Sequence, residues 1–301
     1  MKPTFKPLQA AAVSVFFLAL LFVSCKKENQ EPVPDNQEEL DPGIEAVQSN
    51  AVAFTQFDDV FSITQSVSAD DAGEDVSLGL ISSFDGLTEG RPMGVDGGRC
   101  YTVNVVPKIR GEWPKTVTIN FGDGCKGKDG KTRKGKIVSI FTKPAFLPGA
   151  VVSTTFINYQ VDSFSIEGTH KVTNTSNGNK LSFQVEVING KITNNNSGFW
   201  VKHESKREYT QLDGSIIGQN PFPHGYRITG WTKGSNSNDK TWRTEIVNPL
   251  VKKFDCKWIS KGKMKIWWND NDVAATLDFG NGDCDNKAIL TYKDKSKEIT
   301  L

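Results

Sequence analysis

Four of the five cysteines fall into two pairs with a shared frame. Cys100 opens a segment that closes Thr118-Ile119-Asn120-Phe121-Gly122-Asp123-Gly124-Cys125, and Cys256 opens one that closes Thr276-Leu277-Asp278-Phe279-Gly280-Asn281-Gly282-Asp283-Cys284. Separations of 25 and 28 residues suit two strands and a turn, and a hairpin returns its ends to bridging distance. In an exported chain such pairs read as disulfides, so Cys100–Cys125 and Cys256–Cys284 are the expected bridges, each contributing on the order of 3 kcal/mol by the chain-entropy argument. Zinc is disfavoured, because neither pair contains a CxxC step or has a histidine nearby. Asp270, Asp272, Asp278, Asn281, Asp283 and Asp285 offer oxygens of the kind Ca²⁺ takes, but their spacing completes no EF-hand loop and turn formation accounts for them. No metal and no cofactor is expected.

Catalytic chemistry is sparse. His170, His203 and His224 form no HExxH, no serine sits in GxSxG, and no catalytic residue is assigned. Paired carboxylates for glycoside hydrolysis need only meet in space, so a glycan-directed hydrolase stands as the competing class to a non-catalytic binding or structural protein. Two patches suit binding. Lys126, Lys128, Lys131, Arg133, Lys134 and Lys136 crowd one stretch with only Asp129 between them. A solvated hairpin loop is the favoured reading; contact with an anionic glycan or lipid phosphate, weakening with salt, is the sharper one. The second patch is aromatic. Trp231, Trp242, Trp258, Trp267 and Trp268 lie in the C-terminal half, and indoles suit stacking on sugars or on a partner protein. Trp267 and Trp268, being adjacent, must point to opposite sides of a regular strand. The candidate ligand contacts are therefore Lys126, Lys128, Lys131, Arg133, Lys134, Trp231, Trp242, Trp267 and Trp268.

These residues need elements to position them. From residue 99 onward the chain alternates in strand fashion, as in Leu181-Phe183-Val185-Val187 against Ser182-Gln184-Glu186. About a dozen such runs are separated by turns such as Asp129-Gly130, Ser176-Asn177-Gly178, Asn189-Gly190 and Asp213-Gly214, and Val151–Ile166 reads as a single run. No βαβ spacing occurs, so the fold class is mainly all-β: a large antiparallel meander. A barrel, a strongly curved open sheet and a sandwich of two sheets would each hide the edges, and all three fit. Ile44, Val47, Ala51, Phe54, Phe57, Val60, Phe61 and Val67 recur at helical spacing, which predicts one N-terminal amphipathic helix packing on the sheet. Residues 70–98, rich in Gly and Asp, read as loop.

The first 24 residues are a leader: Lys2 and Lys6, an apolar run from Leu8 to Val23, then Ser24 before Cys25. Leu21-Phe22-Val23-Ser24-Cys25 resembles the lipobox of bacterial lipoproteins. That resemblance implies that Cys25 becomes the acylated N-terminus, with membrane attachment through two or three chains. Residues 25–43, with Pro32, Pro34, Pro42 and many acids, read as a disordered tether. Residues 44–98 then hold the helix and loop, and 99–301 the β-domain. No apolar run beyond the leader is long enough to span a bilayer as a helix. A transmembrane β-barrel is disfavoured, since many strand positions carry Lys or Glu on both faces. Lys2 and Lys6 leave with the leader, so of 36 basic residues 34 remain against 35 acidic, a balance that excludes a nucleic-acid partner.

Phe121–Ile137 (FGDGCKGKDGKTRKGKI) and Leu277–Leu301 (LDFGNGDCDNKAILTYKDKSKEITL) are similar to segments of a set of uncharacterised Bacteroidota-type outer-membrane lipoproteins. The resemblance implies an all-β envelope domain, outer-membrane anchoring with the side left open, and no known activity. A glycan or an envelope protein is the expected partner.

Overall fold

The computed structural model describes residues 40–66 and 100–301, except 110, 128, 179, 213–224 and 254. The leader, Cys25, most of the tether, the loop over 70–98, Lys128, His224 and the Asp213-Gly214 turn lie outside the described residues. Helix α1 runs Asp41–Ser66, so it begins before the expected Ile44. Pro42 sits in its first turn, where a missing N–H costs no hydrogen bond, and Asp41 places an acid at the positive end of the helix dipole. A proline that looked like tether is thus part of the helix start. Among the described residues no helix is long and apolar enough to cross a membrane.

The strands are β1 (Thr102–Val106), β2 (Lys115–Asn120), the two-residue β3 (Cys125–Lys126), β4 (Thr132–Phe141), β5 (Val151–Val161), β6 (Phe164–Asn174) and β7 (Ser182–Asn194). There follow β8 (Trp200–Gln211), β9 (Gly225–Asn236), β10 (Thr241–Lys253), β11 (Ile259–Trp268), β12 (Ala275–Asn281), β13 (Lys287–Tyr292) and β14 (Lys295–Thr300). They form one 14-stranded antiparallel sheet in chain order, with β3 attached only to β4, and the sheet does not close into a barrel. Of the three architectures the sequence left open, the chain adopts the open sheet. Its free edge at β14 carries Lys295, Lys297 and Glu298, charges that discourage pairing with another chain.

Two expected boundaries move. The run Val151–Ile166 is two strands, broken at Asp162, which takes a left-handed φ of 51°. Asn189-Gly190 is not a turn; it lies inside β7, where the register with β8 shifts between Val187 and Gly190. A left-handed Asn before Gly makes either a hairpin or a bulge, and here the flanking strand residues pair on through it.

Such irregularities bend the sheet. Register shifts recur at Glu167/Thr169 in β6, Glu245/Leu250 in β10 and Lys261/Lys263 in β11. Gly168 (φ 109°) and Gly230 (φ 121°) occupy backbone conformations closed to L side chains, and a Cβ at either would strike the carbonyl of Asn189 or Lys206 on the next strand. The bends let one helix meet many strands. The Phe57 ring lies 6.5 Å from Phe156 of β5, 6.3 Å from His170 of β6 and 6.0 Å from His203 of β8. Phe61 reaches Tyr209 of β8 at 5.5 Å and Tyr226 of β9 at 6.2 Å. Polar contacts set the helix lengthwise: Thr232 of β9 donates to Asn50 at 2.8 Å, and Asn236 donates to Glu45 at 2.9 Å. The helix is therefore buried on most of its circumference, with Ala46, Ala53 and Val60 fully enclosed.

Cys100 bonds Cys125 and Cys256 bonds Cys284, with Cα atoms 5.3 and 5.6 Å apart. The first bridge ties the segment before β1 to β3, where Cys125 is opposite Arg133 of β4. The second ties the turn after β10 to the segment after β12.

Candidate functional site

The strand period sorts the tryptophans onto two faces. Trp242 and Trp268 point inward and are buried, whereas Trp231, 41% exposed, and the half-buried Trp267 point outward, away from α1. Trp258 is half-buried beside Lys257. On the outer face Arg243 lays its guanidinium 4.1 Å from the centre of the Trp267 ring, and Lys233 pairs with Glu204 at 2.8 Å. These side chains line a groove of about 750 Å³ that crosses β7–β11 between two rows of outward residues, Lys191 and Lys202 forming part of one row and Glu204, Lys233 and Arg243 of the other. A shallower groove beside it brings in Trp231 and shares Lys233, Arg243 and Trp267. Flat aromatic faces flanked by charged hydrogen-bonding groups can stack on sugar rings and bind their hydroxyls.

The basic cluster divides. Lys126 and Lys134 are exposed, but Arg133 is 1% exposed, turned inward to Asp59 and Asp129, both at 2.7 Å. Lys131 also pairs with Asp59 at 2.7 Å. Although burial opposes its charge, the carboxylates of Asp129 and Asp59 hold the Arg133 guanidinium well above its ordinary value. Arg133 and Lys131 thus close an internal ion network, and the cluster presents fewer cations to solvent than its sequence suggests.

The second cavity, about 400 Å³, lies under α1 against β10, β11, β12 and β14, with Phe164 of β6 and Arg207 of β8 also lining it. One helix stripe, Val47, Ala51 and Phe54, faces Leu250, Met264 and Leu277 across it, and Asp58, Arg207 and Lys252 also line it. Arg207 is 6% exposed, stacks 4.3 Å from the Phe54 ring, and its Nε has no hydrogen-bond partner among the described residues. Lys252 donates to the Cys256 carbonyl at 2.5 Å. Burial raises the Asp58 carboxyl above the usual range, against the pull of Lys252 and Arg207, and burial lowers both of those cations. No local pattern distinguishes Asp58, Arg207, Lys252 or Arg243 in the sequence; their roles come from residues far along the chain.

The acidic motif near the C-terminus gathers no metal site. Asp278 pairs with Lys263 at 2.7 Å and accepts the Gly280 N–H, and these partners hold its carboxyl below the usual range. Among the described residues no three His, Cys, Asp or Glu side chains cluster as metal ligands would. Among its lining side chains the cavity under α1 offers one carboxylate, Asp58, where glycoside hydrolysis requires two. His170 and His203 flank Phe57 fully buried, and among the described residues no ring nitrogen of either has a hydrogen-bond partner.

No protein-family model, no curated protein and no solved structure matches this chain.

Proposed function

We propose that the chain is a lipid-anchored protein of the cell envelope, held at the outer membrane through Cys25, whose outer sheet face binds a glycan without catalysis. The observation that carries the reading is the pairing of outward Trp267 with Arg243 in a groove whose neighbours are Lys233, Glu204 and the exposed Trp231. The groove's side chains mix cations with carboxylates, which suits a hydroxyl-rich chain bearing an occasional acidic sugar. The lipobox and tether support the location, and the resemblance to envelope lipoproteins agrees with it.

Glycan-array and lipopolysaccharide binding of the purified full chain tests the reading. Trp267→Ala and Arg243→Ala each reduce binding at least tenfold, while Lys134→Ala, an exposed cation away from the groove, leaves it unchanged. Equal binding by folded Trp267→Ala protein, or no glycan bound at all, would refute the reading.

A further inference from the structure

The cavity under α1 is a second site, on the opposite face of the sheet from the outer groove, and its walls and inner end differ in chemistry. Val47, Ala51 and Phe54 on one side and Leu250, Met264 and Leu277 on the other leave an apolar space of about 400 Å³, within the range of small-molecule pockets. Its lining charges do not cancel. Asp59 and Asp129 are balanced by Arg133 and Lys131, and the lining adds exposed Lys257, while exposed Asp255 lies outside it and acts on Lys252. Asp58 is left facing both Arg207 and Lys252, one negative charge against two positive. Asp58 meets Arg207 and Lys252 through charge alone, and among the described residues the Arg207 Nε–H is buried and unpartnered. A buried cation lacking a full complement of acceptors is costly, and a ligand anion would supply it.

We infer that this cavity binds a single-chain anionic amphiphile, its carboxylate or phosphate head on Arg207 and Lys252 and its alkyl chain between α1 and strands β10–β12. The head completes the charge balance, and the chain fills a space that no described side chain occupies. Lys257 and Trp258, also in the lining, add a cation and an aromatic edge of the sort that suits the passage of an amphiphile.

The test is titration calorimetry of the purified full chain with four twelve-carbon probes: dodecanoate, dodecyl phosphate, dodecanol and dodecyltrimethylammonium. Both anions should bind at least fivefold more tightly than dodecanol, and the cation should not bind; the tighter anion names the head group. Lys252→Met should weaken the anions at least fivefold and leave dodecanol unchanged. Ala51→Trp, which fills the cavity from the helix, should abolish all binding in protein shown to be folded by its near-UV circular dichroism, with Ala51→Leu as the smaller substitute. The inference is overturned if no anion binds, if dodecanol binds within fivefold of dodecanoate, or if folded Ala51→Trp or Ala51→Leu protein binds as the unaltered chain does. The head-group ranking needs no variant, so a misfolded mutant cannot shelter the claim. Loss of glycan binding by Trp267→Ala leaves these titrations unchanged, which separates the two sites.

Discussion

Asp58 and Asp59 are neighbours on one helix, yet they meet opposite fates. Asp59 is gripped by Arg133 through two hydrogen bonds, at 2.7 and 3.3 Å, and by Lys131 at 2.7 Å. Asp58, about 100° further round the helix, looks into a cavity where Arg207 and Lys252 stand near but do not bond it. The corner at β3–β4 is a closed account of two carboxylates and two cations, while the cavity corner sets one side-chain carboxylate, Asp58, against Arg207, Lys252 and exposed Lys257. Satisfied buried charge holds a fold together; unsatisfied buried charge marks a place where something else belongs.

The sharpest way to break this comparison is Arg133→Met. It strands Asp59 and Asp129, so urea unfolding should show a loss of about 3–5 kcal/mol, as when one member of a buried pair is removed. A loss under about 1 kcal/mol would mean that the network is solvated and the contrast with Asp58 is false. Next come the two bridges, each of which serves one corner. Cys100→Ser/Cys125→Ser and Cys256→Ser/Cys284→Ser should each lower stability by on the order of 3 kcal/mol. Only the second should also weaken dodecanoate binding in calorimetry, because the Cys256 carbonyl holds Lys252.

Much of this was legible locally. The cysteine spacing foretold both hairpins, since a strand–turn–strand unit is a short-range object, and the alternation around Trp267 and Trp268 foretold that one indole faces out. What could not be read was sidedness that depends on distant partners. Lys131 and Arg133 read as a solvated loop because their counter-charge, Asp59, lies more than seventy positions away in another element. The Asn189-Gly190 pair read as a turn because the same backbone geometry serves a bulge, and only pairing through it tells them apart. The groove was half legible: the Trp residues stood out, while Arg243 acquires meaning only once β10 lies beside β11.

Between the two corners lies a third buried group, the imidazoles about Phe57. Burial lowers His170 to about 4, and burial followed by the nearby Arg207 charge lowers His203 to about 3. Because the unfolded chain takes up these protons near pH 6.5, folding stability contributed by the neutral rings is complete above that value and declines as pH falls towards 4 and then 3. Asp58 works against this trend: its raised value lets the folded state bind a proton earlier than the unfolded one, which favours folding as pH falls. Comparing His170→Phe with the unaltered chain cancels the Asp58 contribution. From pH 7 to pH 5 the unaltered chain should lose on the order of 2 kcal/mol more than the variant in urea titrations. Parallel pH curves would show that His170 is hydrated and not enclosed.

The smallest expected change in stability comes from Asp58→Asn, and it probes the comparison most directly. A half-buried carboxyl that meets its cations through charge alone and is raised in affinity for protons gives folding little, so its replacement should alter unfolding free energy by less than about 1 kcal/mol at pH 7, against several for Arg133→Met. Its effect belongs to binding. Removing the one side-chain carboxylate of the lining leaves Arg207 and Lys252 with less counter-charge, so dodecanoate should bind several-fold more tightly while dodecanol is unaffected. A large loss of stability in Asp58→Asn would place Asp58 with Asp59 among the structural charges. A fall in dodecanoate affinity would mean that the ligand head approaches Asp58 as a hydrogen-bond donor, and the assignment of an anionic head would fail with it.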